Sequence, residues 1–201
     1  MQSIFDFIVE PKGKRYNNEV KVGDESLVVN SSIENFKFIN RNAIVKHTPA
    51  AFKTPIEKGD EILIHHNVFR RYYNQKGKEV DSSKLFNDNE YFCQMDQVYL
   101  YKKKDKWKAL GERCFVIPLA NDDEWDLDEE VRGKGILKIG NKTLSSMGVN
   151  EGDVVGFKLN REFEFLVDDQ RLYCMESNDI LVKHERKGNE KEYNRSWARS
   201  S

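Results

Sequence analysis

The chain has 201 residues, of which 38% are hydrophobic and 33% charged, so it can form one domain or two small ones with packed cores. Its 33 basic and 34 acidic side chains leave a net charge of −1, which gives no electrostatic reason to expect nucleic acid as the main partner. No run approaches the roughly 20 apolar residues needed to cross a bilayer, and the N-terminus lacks a signal-peptide pattern. We therefore expect a cytoplasmic protein without membrane contact.

The first half, residues 1–106, reads as short apolar strands separated by polar turns. A hairpin is predicted around the Gly23-Asp24 turn, and residues 74–89 are predicted as a long loop or loose hairpin. The predicted strands are residues 5–10, 20–22, 26–29, 36–39, 43–45, 61–64, 91–95 and 98–101.

The second half, residues 107–186, repeats this order in shorter form and is followed by a polar tail, residues 187–201. Pro118 ends its first strand as Pro11 ends the first strand of the chain. The predicted strands are residues 114–118, 135–140, 154–157, 162–167, 172–175 and 179–182.

Two Gly-Asp turns, Gly59-Asp60 and Gly152-Asp153, mark the same place in the two halves. Glycine tolerates a positive φ, and we expect each aspartate to hydrogen-bond the backbone just beyond it. From the strand-ending proline to the turn glycine there are 48 residues in the first half and 34 in the second. A repeat whose loops differ in length explains both the order and the spacing.

The cysteines and histidines indicate no metal or redox chemistry. Three cysteines, Cys93, Cys114 and Cys174, lie in strand-like runs without CxxC spacing, which predicts buried, reduced thiols. His65 and His66 are adjacent, so on a strand their side chains would point to opposite faces and could not share a metal. We expect no metal, no cofactor and no catalytic site, since no catalytic motif is present. No segment shows sustained helical periodicity, so the predicted class is all-β, as small barrels or sandwiches with long loops.

Three segments of the second half resemble the chaperonin-10 family, the GroES-type co-chaperonins. They are residues 131–141, residues 149–157 (the family's V-x-x-G-D-x-V-x-F strand), and residues 164–182, whose end resembles the family's E-S-D-I-L-A with one residue inserted. The resemblance covers about 70 residues of the second half and, more weakly, about 90 of the first.

The resemblance implies two tandem GroES-like β-barrels, residues 1–106 and 107–186, similar to the tandem co-chaperonins of some bacteriophages. Such a protein is not an enzyme. It caps a GroEL-type chaperonin and assists ATP-dependent protein folding, with ATP bound by the partner and no cofactor of its own. A homo-oligomeric ring is implied, in the host bacterial cytoplasm if the protein is phage-encoded.

In that family a mobile loop after the first strand binds the chaperonin through an apolar triplet. The matching segment here is about residues 14–35, with Leu27, Val28 and Val29 as the triplet, supported by Gly23, Ser26 and Asn30. An ordinary edge hairpin packed on its own barrel is the alternative. The corresponding loop of the second half, residues 121–130, holds seven carboxylates and no aliphatic triplet, which favours a solvated acidic loop.

Two other functions fit parts of the sequence. One is a structural or interaction module of GroES fold, such as a phage accessory protein, that does not bind a chaperonin. The other is a nucleic-acid-binding barrel, based on the cations and aromatics of residues 70–73 and the lysines of residues 102–104.

Overall fold

The computed structural model describes residues 3–17, 19–22, 25–28, 35–121 and 130–194, with side chains for all of these except 19–22 and 25–28. The regular secondary structure of the described chain is almost entirely antiparallel strand, with one five-residue α-helix and short 3₁₀ turns. The predicted all-β class is therefore confirmed. In the same ranges, no helix has both the length and the apolar character needed to cross a membrane.

The chain divides into two compact units, Met1–Lys106 and Trp107–Ser200. Strands of the first unit are β1 (Phe7–Pro11), β2 (Glu19–Val22), β3 (Glu25–Val28), β4 (Asn42–His47), β5 (Glu61–Ile64), β6 (Tyr72–Tyr73), β7 (Glu79–Val80), β8 (Leu85–Asn87), β9 (Glu90–Cys93) and β10 (Val98–Lys103). Then follow β11 (Lys106–Ala109), β12 (Arg113–Ala120), β13 (Glu130–Ile139), α1 (Lys142–Ser146), β14 (Val154–Phe157), β15 (Phe163–Val167), β16 (Gln170–Glu176) and β17 (Ile180–His184).

The two main sheets repeat one strand order. In the first unit the order is β10-β5-β4-β1-β9-β8, with β11 added beyond β10, and in the second it is β17-β14-β13-β12-β16-β15. Two small ribbons, β2-β3 and β6-β7, occur only in the first unit among the described residues. No ladder between described strands joins the two ends of either sheet, so the closure of each into a barrel stays a prediction.

The repeat extends to the residue register of the central strands. Val9 of β1 pairs with Val45 of β4 and with Tyr91 of β9. Val116 of β12 pairs in the same way with Leu137 of β13 and Tyr173 of β16. The register of the β1-β4 ladder shifts immediately before Val9, and that of the β12-β13 ladder immediately before Val116. The internal repeat predicted from the turns is thus present at the level of single residue pairs.

The two Gly-Asp turns have the same geometry. Gly59 and Gly152 have φ values of +90° and +91°, which only glycine adopts without strain. Each aspartate accepts a 2.7 Å hydrogen bond from the amide three residues before it, Asp60 from Glu57 and Asp153 from Asn150. The prediction that each aspartate bonds the backbone after it was therefore wrong. The carboxylate accepts from the backbone before it and closes the turn that contains the glycine.

Three local predictions were wrong. Residues 36–38 form a 3₁₀ turn rather than a strand, because the Asn35 side chain accepts a bond from the Lys37 amide and begins a turn. Residues 66–68 form a second 3₁₀ turn, which His65 caps by accepting from the Asn67 amide. The sequence reading also missed α1, although Asn141 caps it by accepting from the Leu144 amide, a signal visible in the sequence.

The cysteines are core residues, as predicted. Cys93, Cys114 and Cys174 are free, with exposures of 0%, 0% and 4%. Burial raises the pKa of all three thiols, that of Cys114 to about 12. They therefore stay protonated at neutral pH and pack as small apolar side chains.

Candidate functional site

Two residues of the predicted triplet, Leu27 and Val28, lie on the β2-β3 hairpin, which comes between core strands β1 and β4 in the chain. The backbone of Ser26, Leu27 and Val28 belongs to β3, where Leu27 is opposite Val20. Gly23, Val29 and Asn30 lie outside the described residues, as do the side chains of the whole hairpin. The acidic loop predicted in the second unit lies outside them as well, except for Asn121 and Glu130.

The residues just before and just after this hairpin pair with each other, and we call them its stem. Tyr16 forms an antiparallel bridge with Ile39, and the Asn17 amide donates to the Phe38 carbonyl at 2.7 Å. Asn40 is 4% exposed, and its side-chain amide donates to the carbonyls of Lys12 and Lys14 at 2.9 and 2.8 Å. A buried amide satisfied by the segment that follows β1 holds the two sides of the stem together.

A charged and aromatic cluster ties the stem to the rest of the first unit. The Arg15 guanidinium lies 5.0 Å from the Tyr91 ring centre, pairs with Asp81 at 2.5 Å and donates to the Phe69 carbonyl. Burial acts to raise the pKa of Asp81, but the hydrogen bonds from Arg15 and the Ser82 amide hold that pKa below its usual range. The carboxylate is thus ionised where Arg15 needs it.

The neighbouring tyrosine of the stem makes a second connection. The hydroxyl of Tyr16, a 7% exposed residue, accepts a 2.8 Å bond from the Arg71 amide, and the Arg71 guanidinium lies 4.8 Å from the Tyr16 ring centre. Arg71 also pairs with Glu79 at 2.6 Å across the β6-β7 ribbon. This ribbon, inserted in the first unit, therefore braces the stem. Arg71 is engaged within the chain, whereas Tyr72 and Tyr73 are exposed.

The loop of the second unit has a stem at the corresponding place. Ala120 pairs with Glu130 there, and the Glu130 carboxylate accepts from Tyr173 Oη and Arg171 Nη1, both at 2.7 Å. Arg171 Nε donates to Glu164 at 2.9 Å, and the guanidinium lies 4.9 Å from the Tyr173 ring centre. Burial and the bond to Glu130 raise the pKa of Tyr173, so its hydroxyl keeps its proton and acts as donor.

The C-terminal segment adds a strap to this second stem. The Ala120 amide donates to the Lys191 carbonyl and the Tyr193 amide to the Pro118 carbonyl, both at 2.8 Å. The Tyr193 ring centre lies 5.1 Å from the Arg171 guanidinium, a contact that could not be predicted from the sequence. Trp197 lies outside the described residues.

The adjacent histidines differ from their predicted arrangement. Since residues 66–68 form a 3₁₀ turn, the His65 and His66 rings stack at 4.2 Å with planes inclined by 29° instead of pointing to opposite faces. The described ranges hold no group of three or more His, Cys, Asp or Glu side chains positioned to bind a metal.

The two stems resemble each other most at one tyrosine in each unit, and these two tyrosines were not identified from the sequence. Tyr91 and Tyr173 occupy the same register in the two sheets, and each lies under a guanidinium. The alternating pattern indicated strands there but not their partners. No family model matches the sequence, and no curated protein sequence matches it.

Proposed function

We propose that this protein is a co-chaperonin that caps a GroEL-type chaperonin ring through Leu27, Val28 and Val29. The observation that supports this most directly is the β2-β3 hairpin between core strands β1 and β4, carried on a stem fixed by Tyr16, Asn40 and Arg15. In the chaperonin-10 family the chaperonin-binding loop follows the first strand. The resembling segments of the second unit overlap strands β13, β14, β15, β16 and β17.

A fixed stem with an apolar hairpin suits repeated binding and release. Burying a Leu or Val side chain against a partner contributes about 1.5–3 kcal/mol, from which the cost of ordering the segment is subtracted. One hairpin would therefore bind weakly. Several hairpins on one homo-oligomeric ring would add avidity without tighter individual contacts.

The two units would have different roles in the proposed co-chaperonin. The first carries the apolar hairpin, whereas the second has a loop rich in carboxylates and the same sheet topology. In the proposal the second unit builds the wall of the cap and does not contact the chaperonin groove. ATP is bound and hydrolysed by the partner, and this chain needs no cofactor. If the protein is phage-encoded, the site of action is the host bacterial cytoplasm.

The test is size-exclusion chromatography of the protein mixed with a bacterial chaperonin, with and without ATP. The wild-type protein is expected to co-elute only with nucleotide. Val28→Asp should abolish co-elution, because a carboxylate cannot be buried unpaired in an apolar groove. Leu159→Asp is the control, since Leu159 is 55% exposed in the second unit and should accept a charge without loss of binding.

Two outcomes would contradict the proposal. Elution apart under every nucleotide condition, with the cognate host chaperonin included, would favour a structural module of the same fold. Co-elution of Val28→Asp at the wild-type level would show that the triplet is not the contact.

A further inference from the structure

Four aromatic rings lie in a row in the first unit, beside the hairpin stem but outside the triplet proposed to contact the chaperonin; the inner three are stacked and the outermost is tilted by 40°, and this row is called the stack. The ring centres are 6.3 Å apart for Tyr99 and His65, 4.2 Å for His65 and His66, and 5.5 Å for His66 and Phe36. Phe36 is the outermost member and is 42% exposed. The stack is held by the two 3₁₀ turns at Phe36–Phe38 and His66–Val68.

Two arginines lie at this stack. The Arg41 carbonyl accepts from the Ile64 amide at 2.9 Å, which places Arg41 beside the residue that precedes His65. Burial, together with the charges of His65, Arg41 and Arg70, lowers the pKa of His66 to about 3. His66 is therefore neutral in an environment of positive potential. The negative charge of Asp96 acts in the opposite sense and raises the pKa of His65, but burial and Arg41 outweigh it.

Two buried polar atoms, one in the stack and one on the arginine that follows the second 3₁₀ turn, lack hydrogen-bond partners. Nε of Arg70 and Nδ1 of His66 are buried and make no hydrogen bond to any part of the chain that the structure describes. An unsatisfied buried polar atom is destabilising, and more so when the group is charged. Native proteins keep few such groups, and a bound anion is one way to satisfy them.

We propose that this surface, formed by Phe36, Arg41, His66 and Arg70, binds a nucleotide. The base stacks on the exposed ring of Phe36, and the phosphate accepts from the arginines. Aromatic rings combined with cations are the means by which proteins bind single strands without reading sequence. A free nucleotide and one residue of a single strand offer the same chemistry, a phosphate beside an aromatic base, and the experiment separates the two sources.

The experiment is fluorescence anisotropy of a labelled 12-residue oligothymidylate, with unlabelled dTMP and inorganic phosphate as competitors. Two arginine contacts to a single strand predict a slope of about −1.4 in log K against log salt, or roughly a sevenfold loss between 50 and 200 mM. Displacement by dTMP at concentrations where phosphate is inert identifies a free-nucleotide site. Strong binding of the oligomer that dTMP does not displace identifies a single-strand site.

Variants assign the binding to these residues. Arg70→Gln and Phe36→Leu are each expected to weaken oligomer or dTMP binding about tenfold, through loss of a charged hydrogen bond and of base stacking. Lys53→Gln, an equal charge loss at an exposed position of the same unit, should change binding less than twofold. Absence of binding to the wild-type protein, or equal binding by all three variants, would overturn the proposal. ATP-dependent chaperonin binding by Arg70→Gln should be unchanged, so the two proposals can fail separately.

Discussion

The two loop stems occupy the same place in the repeated topology but are anchored by residues from different segments. In the first unit Arg15 comes from the stem itself, lies over Tyr91 and pairs with Asp81, whose side chain is 40% exposed. In the second unit Arg171 comes from β16 and pairs with Glu130 and Glu164. The two units share the position of the tyrosine, but the arginine that lies over its ring comes from the stem in the first unit and from a core strand in the second.

The difference in burial should decide how much each anchor contributes to stability. The side chains of Arg171 and Glu164 are both 10% exposed, so removal of the guanidinium leaves carboxylates in a poorly solvated place. The Arg15 pair is more open to solvent on its acidic side, where water can replace the lost partner. Two stems at the same place in the repeated topology can therefore contribute differently to stability.

The largest expected effect comes from removing each guanidinium. Arg171→Met should destabilise the second unit by about 3 kcal/mol, and Arg15→Met should destabilise the first by about 1 kcal/mol. All three tryptophans, Trp107, Trp125 and Trp197, belong to the second unit's sequence, although Trp107 is on β11, which extends the first sheet, so tryptophan fluorescence in a urea titration reports mainly on the second unit. Circular dichroism reports on both. Equal losses for the two variants would show that burial does not separate the stems.

A smaller effect is expected where the units differ by one methyl group. Ala43, opposite Pro11, is fully buried, whereas the matching position opposite Pro118 is Gly135. A Cβ on Gly135 would lie 2.3 Å from Val116 Cγ1 and 2.4 Å from the Ile117 carbonyl oxygen, so the backbone would have to move.

Gly135→Ala should therefore destabilise the second unit by about 2 kcal/mol, and the reciprocal Ala43→Gly should cost the first unit about 1 kcal/mol. Urea titrations followed by tryptophan fluorescence and by circular dichroism separate the two. If Gly135→Ala were neutral or stabilising, β12 and β13 would be less rigidly spaced than their register indicates.

The smallest expected effect concerns pH, since the first unit has a histidine pair where the second has Lys158 and Leu159 after its corresponding strand. Burial lowers the pKa of both His65 and His66 below the ordinary 6.5, that of His66 to about 3. The unfolded chain binds these protons first, so stability is complete above pH 6.5 and falls as the pH drops toward 3.

Hydrogen exchange measured at pH 7 and pH 5, corrected for intrinsic rates, should show protection lost selectively in strands β5 and β10. His66→Gln should flatten this pH dependence. Uniform loss in both units, or a wild-type response in His66→Gln, would assign the acid sensitivity to other groups.

Features that depend on neighbouring residues in the chain could be predicted from the sequence. The alternating strands, the turns at Gly59 and Gly152, the hairpin around residues 23–24 and the buried cysteines need only local geometry and side-chain polarity. Residues 36–39 were predicted wrongly, and the strand assumed for His65 and His66 was absent, because in each place a polar cap forms a bond within two residues and begins a turn.

What only the tertiary structure decided is which distant groups meet. Arg15 and Phe69 are 54 residues apart, and the contacts of Tyr193 with β12 and Arg171 join the tail to strands formed far earlier in the chain. An arginine, a tyrosine or a carboxylate has the same local pattern whether it is solvated or paired. Its partner is selected by strand order and register, which arise from packing the whole sheet.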